Sequence, residues 1–381
     1  AIGLNNIVDV SIGENHCIAL DSRGSAYLWG NNSAHAVSYS DIRKFSLPTT
    51  FPVSNVVSIE AGSQTTFICS SNGVFVQGVN NYGQLCLENR DVISEQTKIE
   101  NIPGQLYKSY GKHTFFNSGA LVMGCGANDH KIIGEYNLNT ILKPEPVEFS
   151  SVYDTGQNHV TIIDEGNNIY VRGSNKWGQC GIEDINETYS HIDLKLTENI
   201  EITDVKCGKE HTIIKLSDGT VMTWGYNLRG QIGDGTHNNR YEPYAVKGMT
   251  NITQIAAGNN HTVALDANGN VWRWGDNSYG QFGNGSTVSS NSPINNYYGD
   301  LEHKNISSGS NHILYVDKDG KLFTKGDNTY GQLGTSDNVS REDFAEVHGP
   351  WGSKKIVKAE TCADTSFVLT EDNKVYGGGR N

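Results

Sequence analysis

Apolar and polar residues alternate in short bursts along the chain, and the bursts recur in a fixed order. Ile252-Thr253-Gln254-Ile255-Ala256-Ala257, Thr262-Val263-Ala264-Leu265 and Val271-Trp272-Arg273-Trp274 follow one another with polar or glycine-rich breaks between them. Each burst is four to six residues long, rich in β-branched or aromatic residues, and bounded by Gly, Asn or Asp, which predicts strands joined by turns. Asp266-Ala267-Asn268-Gly269 predicts a tight hairpin turn, because Asn and Gly tolerate the positive φ that such a turn needs; Ser217-Asp218-Gly219 and Lys318-Asp319-Gly320 read the same way. A fourth apolar stretch, such as Tyr244-Ala245-Val246, precedes the next group. No segment sustains a helical period. Pro48, Pro52, Pro144, Pro146, Pro243 and Pro293 fall between the groups, where connections would lie.

The group of four bursts is a repeat unit. Its leading position falls at Gly13, Gly62, Gly111, Gly156, Gly208, Gly258, Gly309 and Cys362, at spacings of 45 to 53 residues. Such a period decides the architecture before any residue chemistry, since one four-stranded sheet cannot bury both its faces and must stack on its neighbours. Four antiparallel strands per unit, repeated radially, predict an all-β fold: a single closed β-propeller of four-stranded blades over residues 1–381. The chain stops before a fourth strand of the last unit, which would come from its first few residues or from outside this sequence.

The motif Gly-x-x-His-Thr-(apolar)-x-Leu, Asp-Gly, Trp-Gly-x-Asn, Gly-Gln-(apolar)-Gly is similar to that of the regulator of chromosome condensation repeat family. Copies led by Gly13, Gly208, Gly258 and Gly309 carry it clearly; the copy led by Gly62 has Thr65 in place of His, and the one led by Gly111 is the most eroded. The resemblance spans the whole chain and implies a propeller that usually has seven blades. Eight units here leave two expectations, eight blades or seven with one irregular unit. The resemblance further implies that partners are bound at the rim, and that nucleotide exchange on a small GTPase such as Ran is the family's best-known activity.

Composition narrows the function classes. The 43 glycines among 381 residues suit a turn-rich ring. A net charge of −13 disfavours direct nucleic-acid binding and suits basic patches on protein partners. No apolar run is long enough for a membrane-spanning helix, and no signal-peptide pattern is visible. The seven cysteines, 17, 69, 86, 125, 180, 207 and 362, have no Cys-x-x-Cys spacing and read as reduced core thiols, which with the missing signal pattern favours an intracellular compartment.

The eye-catching residues read as structural. His16, His113, His159, His211, His261 and His312 fall one per unit, so they are distributed around a circle and cannot converge on a metal. Each is expected to tie down a turn of its own blade, a role that the hydroxyls of Thr65 and Thr365 could fill. Trp29, Trp224 and Trp274, with Gln77, Met123, Arg172 and Lys325 as counterparts, read as inter-blade packing. The Gly-Gln pairs read as turns; no phosphate-binding loop, nucleophile elbow, His-Glu-x-x-His or calcium loop is present, and no cofactor is called for.

Binding candidates are instead the positions that break the pattern. The residues before the His position vary: Asn15, Asn158, Glu210, Asn260, Asn311 and, in the last copy, Asp364. Bulky residues on connections, Arg240, Tyr241, Tyr297, Tyr298 and Trp351, are of the types that anchor interfaces. The reading is a non-enzymatic protein-interaction module, an adaptor, inhibitor or structural binder. The alternative is an exchange factor or activator of a small GTPase, as in a bacterial effector mimicking a host protein, against which the short repeat units leave no room for a long wedge-like insertion.

Overall fold

A computed structural model describes residues 4–14, 16–32, 35–37, 45–100, 102, 105–110, 112–117, 122–134, 138–147, 154–164, 166–184, 189–295 and 303–380. The protein is all-β and is built of eight propeller blades, so the count of sequence units holds and the irregular seven-bladed alternative does not. Seven blades are four-stranded antiparallel sheets whose strands neighbour one another in chain order; among the described residues the eighth has three strands, Ile356–Cys362, Thr365–Thr370 and Val375–Gly379. Residues 1–3, expected as a source of its fourth strand, lie outside the described residues.

Burial explains why these segments pair as they do. In the fifth sheet the second strand, His211–Leu216, and the third, Val221–Gly225, are buried along almost their whole length. The fourth strand, Arg240–Ala245, is half-exposed throughout. Strands two and three therefore read as near-continuous apolar bursts, because both of their faces are covered, while the outer strand has no buried position. Within the fourth to eighth sheets the first strand of one lies against the first strand of the next, as Ile202–Cys207 does against Ile252–Ala257 and Ile252–Ala257 against His303–Ser308.

The chain divides into two compact units, residues 1–152 with 372–375 and 381, and residues 153–371 with 376–380. In the first, one apolar cluster joins Ile18, Leu28 and Ile68, and another joins Phe67, Val76 and Phe116. In the second, successive clusters are centred on Val171 with Trp224, Ile213 with Trp274, Val263 with Tyr315, and Leu314 with Val368. Each cluster contains residues of two consecutive sheets, so the core is a series of inter-sheet seams.

Polar joints cross the same seams. His211 Nε2 lies 3.1 Å from Thr262 Oγ1, and that hydroxyl donates to the Gln231 carbonyl at 2.9 Å. A hydroxyl has one proton, so the imidazole must donate from Nε2, and the relay binds a histidine, the next sheet's threonine and a Gly-Gln turn. His159 with Thr212 and the Gln179 carbonyl repeats it. His16 reaches Thr66, His261 reaches Ser308 and His312 reaches Ser366 at 2.8 to 3.0 Å. These five histidines thus tie one sheet to the next, and not a turn within their own blade as the sequence suggested, while His113 Nε2 has no hydrogen-bond partner among the described residues. The leading glycine makes room for the ring: a Cβ on Gly208 would lie against the His211 imidazole and 2.7 Å from the Gly258 carbonyl.

A second set of joints is made by backbone alone. The amides of Gln157, Lys209, Asn259 and Ser310 donate to the carbonyls of Lys209, Asn259, Ser310 and Ala363, the same position one sheet on, at 2.8 to 3.2 Å. Two expectations need correction here. The third sheet's counterpart of Trp224 is Cys125, paired with Thr114 as Trp224 is with Thr212, and not Met123. Cys86 and Cys125 form a disulfide with Cα atoms 5.6 Å apart, so they are not the reduced thiols expected of all seven cysteines. Cys17, Cys69, Cys180, Cys207 and Cys362 take no part in that bond.

Burial holds the repeat histidines neutral. It lowers His16, His113 and His261 to about 4, and His211 and His312 to about 3. The unfolded chain, with ordinary histidines near 6.5, binds more protons below that value than the folded one. Stability is therefore full above about pH 6.5 and falls as the pH drops toward 4, by up to roughly 1.4 kcal/mol per pH unit for each histidine. Urea midpoints at pH 7.5, 5.5 and 4.5 should decrease in that order; a midpoint unchanged from 7.5 to 5.5 would show that these rings are not buried neutral.

Candidate interaction face

Five of the sequence-predicted positions occupy one structural place in five consecutive sheets. The carbonyls of Asn158, Glu210, Asn260, Asn311 and Asp364 accept from the amides of Ser174, Tyr226, Asp276, Asp327 and Arg380 at 2.8 to 3.0 Å. Each acceptor precedes a second strand and each donor follows a third strand, so the same end of every sheet is pinned identically. The side chains form a half-buried row beside the backbone joints. Asn15, the expected sixth member, lies outside the described residues.

The row is tied to the repeat through its glutamines. Gln179 Nε2 donates to Glu210 at 2.6 Å and Asn158 Nδ2 donates to its other oxygen at 3.2 Å. Gln231 Nε2 donates to Asn260 at 3.4 Å. Gln179 and Gln231 thus have two jobs: the Oε1 accepts from its own turn, as from the Trp177 amide at 2.8 Å and the Arg229 amide at 3.0 Å, and the Nε2 braces the residue before the next histidine. Burial raises the Glu210 carboxyl above the usual range, with the Asn158 and Gln179 amides opposing the shift. Asp364 is raised by burial first and by the nearby Asp327 charge second, against Arg380, whose guanidinium is 3.9 Å away.

A second row was missed in the sequence. The residue before each Gly-Gln pair is aromatic or Arg: Tyr82, Trp177, Arg229, Tyr279 and Tyr330. Tyr279 and Tyr330 are 42% and 45% exposed, unusual for large side chains and therefore informative. Trp177 and Tyr330 are linked to the polar row through their neighbours. Trp177 meets Tyr226 edge to face at 5.6 Å, and the Tyr226 amide is bonded to Glu210. The Arg380 guanidinium stands 5.1 Å from the Tyr330 ring while facing Asp364. The signal was an aromatic recurring beside an invariant-looking turn, hidden because the glutamine and glycine drew the eye.

The connection candidates lie elsewhere. Arg240 and Tyr241 open the outer strand of the fifth sheet. Arg240 pairs with the buried Asp234 carboxylate at 2.6 Å and covers Tyr244, and the Tyr241 hydroxyl donates to the Lys176 carbonyl at 3.4 Å. Trp351 is half-buried on the seam with Tyr376, rings 5.4 Å apart, so its bulk is used in packing and is not the exposed anchor expected. Tyr297 and Tyr298 lie outside the described residues. Among the described residues no group of three His, Cys, Asp or Glu side chains could hold a metal ion, and no helix is long and apolar enough to cross a membrane.

Blade-like sheets that hand off to one another at a fixed sequence period define a repeat β-propeller. The protein is an RCC1-like repeat propeller: regulator of chromosome condensation (RCC1) repeats match residues 7–35, 202–231, 252–281 and 304–332, and in a longer form 218–265 and 268–316. The chain is 26% identical over 388 residues to the ultraviolet-B receptor UVR8 of Arabidopsis thaliana, covering 98% of this chain and 77% of that one. It is 31% identical over 230 residues to the X-linked retinitis pigmentosa GTPase regulator homolog of Caenorhabditis elegans, covering 59% of this chain and 13% of that one. Prp20p of Saccharomyces cerevisiae, solved in work on its binding to Gsp1p and histones, shares the fold, with a TM-score of 0.62, 18% identity, and coverage of 98% of this chain and 83% of that one.

The bracing of Glu210 can be checked directly. Glu210→Gln keeps an acceptor oxygen for Asn158 or Gln179 and should change stability by less than about 1 kcal/mol, whereas Glu210→Ala leaves both amides unpaired and should cost roughly 1–3 kcal/mol. Equal urea midpoints for the two variants would mean that the carboxylate is not part of the frame.

Proposed function

We propose that this chain is a non-enzymatic protein-interaction module that recognises a basic partner surface through the row Asn158, Glu210, Asn260, Asn311 and Asp364, flanked by Trp177, Arg229, Tyr279 and Tyr330. The observation that carries this reading is the pairing of the two rows. Polar groups are held in place by backbone and glutamine amides, and exposed aromatic rings sit beside them; Tyr, Trp and Arg are the residue types that dominate binding energy at interfaces. A preorganised row loses little side-chain entropy on binding. The net charge of −13 supports a basic partner by long-range attraction.

Regulation of a small GTPase, Ran included, is the second reading. It is supported by the C. elegans relative named a GTPase regulator and by the fold shared with Prp20p, studied for binding Gsp1p. It makes the row a docking face for the GTPase, and exchange would be one outcome of that docking.

Release of fluorescent GDP from a panel of small GTPases, Ran among them, separates the two. On the interaction-module reading no GTPase releases nucleotide faster, while partner retention by the immobilised protein drops at least about tenfold for Glu210→Lys/Asp364→Lys, a loss of roughly 1.4 kcal/mol or more. Accelerated release that the same double variant abolishes would establish exchange instead. Partner retention untouched by the double variant would place recognition off this face.

A further inference from the structure

Three seams share a contact that another seam breaks twice. The residue two after Gly-Gln is glycine in the fourth to seventh sheets, with φ of 68°, 77°, 63° and 69° at Gly181, Gly233, Gly283 and Gly334. A Cβ on Gly181 would stand 3.1 Å from Trp224 Nε1, one on Gly233 2.8 Å from Trp274 Nε1, and one on Gly283 against the Lys325 side chain. Glycine in one sheet and a bulky residue in the next therefore form a single contact. In the second sheet the glycine place holds Cys86, still in the left-handed region at φ 57°, which L side chains disfavour. In the third sheet the tryptophan place holds Cys125.

The two departures compensate each other. Cys86 facing an indole would clash, and Cys125 over a glycine would leave an indole-sized void. Together they meet, with Cα atoms 5.6 Å apart, inside the usual range for a disulfide. Both residues are buried among Phe67, Leu85 and Phe116. The turn that carries Cys86 is closed by the Gly83 amide to the Asn80 carbonyl, the Leu85 amide to Asn80 Oδ1 and the Cys86 amide to the Gly83 carbonyl, and the Thr114 hydroxyl of the next sheet donates to its Gln84 carbonyl at 2.9 Å. That turn carries Tyr82, over which Lys112 places its ammonium at 4.7 Å.

We propose that Cys86–Cys125 is a redox-responsive staple that replaces the Gly/Trp contact at this seam and controls the order of the Tyr82 turn. Oxidation by a small external disulfide removes two protons and two electrons from the two thiols; one S–S bond forms as the external one splits into two thiols. A dithiol reductant reverses it. Reduction forces sulfurs bonded at about 2.05 Å apart to van der Waals distance of roughly 3.5–4 Å, in a seam with no glycine to receive them. The 80–86 turn, which holds Cys86 in the left-handed region, gives way.

Thiol counting and hydrogen exchange on the full chain test this. Unfolded without reductant, the protein should show five titratable thiols, and seven after reduction. On adding dithiothreitol to the folded protein, amides of Gly83 to Cys86 should exchange about 30-fold faster or more. C86G/C125W restores the Gly/Trp contact and should exchange slowly with or without reductant. C86S/C125S, which keeps the poor packing without the bond, should exchange fast in both conditions and serves if the first variant does not fold. Seven thiols without reductant, equal exchange in oxidised and reduced protein, or slow exchange in C86S/C125S would each overturn the proposal.

Discussion

Everything in this protein depends on the transverse joint between consecutive sheets. A four-stranded sheet of some forty residues cannot bury both faces by itself, so its stability must come from neighbours. Apolar seams supply most of the burial but little direction. Direction comes from the backbone bond that passes from Lys209 to Asn259 to Ser310, and from the histidine that donates to the next sheet's hydroxyl. These joints fix the spacing of the sheets and commit five imidazoles, His16, His159, His211, His261 and His312, each buried and bonded to a hydroxyl of the next sheet.

The interaction face is a by-product of the same joint. The residue before each histidine has its carbonyl pinned and its side chain left to vary, so Asn158, Glu210, Asn260, Asn311 and Asp364 present different chemistry from one repeated backbone geometry. The glutamine that braces Glu210 and Asn260 belongs to the preceding turn, and the aromatic residue of that turn borders the row. Frame and surface are thus adjacent residues of one loop. Because the joint is made by the backbone carbonyl, the side chain can vary from sheet to sheet wherever its own amide partners stay satisfied, which suits a scaffold serving different partners.

The fold was legible in the sequence because period, turn chemistry and strand patterning all agree at Gly208 to Gly233 and Gly258 to Gly283. The polar row was legible too, because its residues interrupt a motif. What lay hidden depends on which sheet touches which. The histidines' partners are about fifty residues away, so a single unit suggests a bond within its own blade. The disulfide joins a glycine place in one unit to a tryptophan place in the next, and aligning Met123 with the tryptophans concealed that Cys125 stands there. Trp351 looked exposed because its connection is polar, yet it packs on Tyr376 of the next sheet.

The central claim is that the joints, not the individual sheets, hold the face in place. Native-state hydrogen exchange at the amides of Lys209, Asn259 and Ser310 tests it most directly, in the natural chain and in Thr262→Val, which removes the hydroxyl between His211 and the Gln231 carbonyl. The account predicts that these loop amides exchange as slowly as the core strands in the natural chain. In the variant it predicts that Lys209 and Asn259 speed up well before Ser310 does. Exchange at the rate of free loop amides in the natural chain, or an equal response at all three positions, would contradict it.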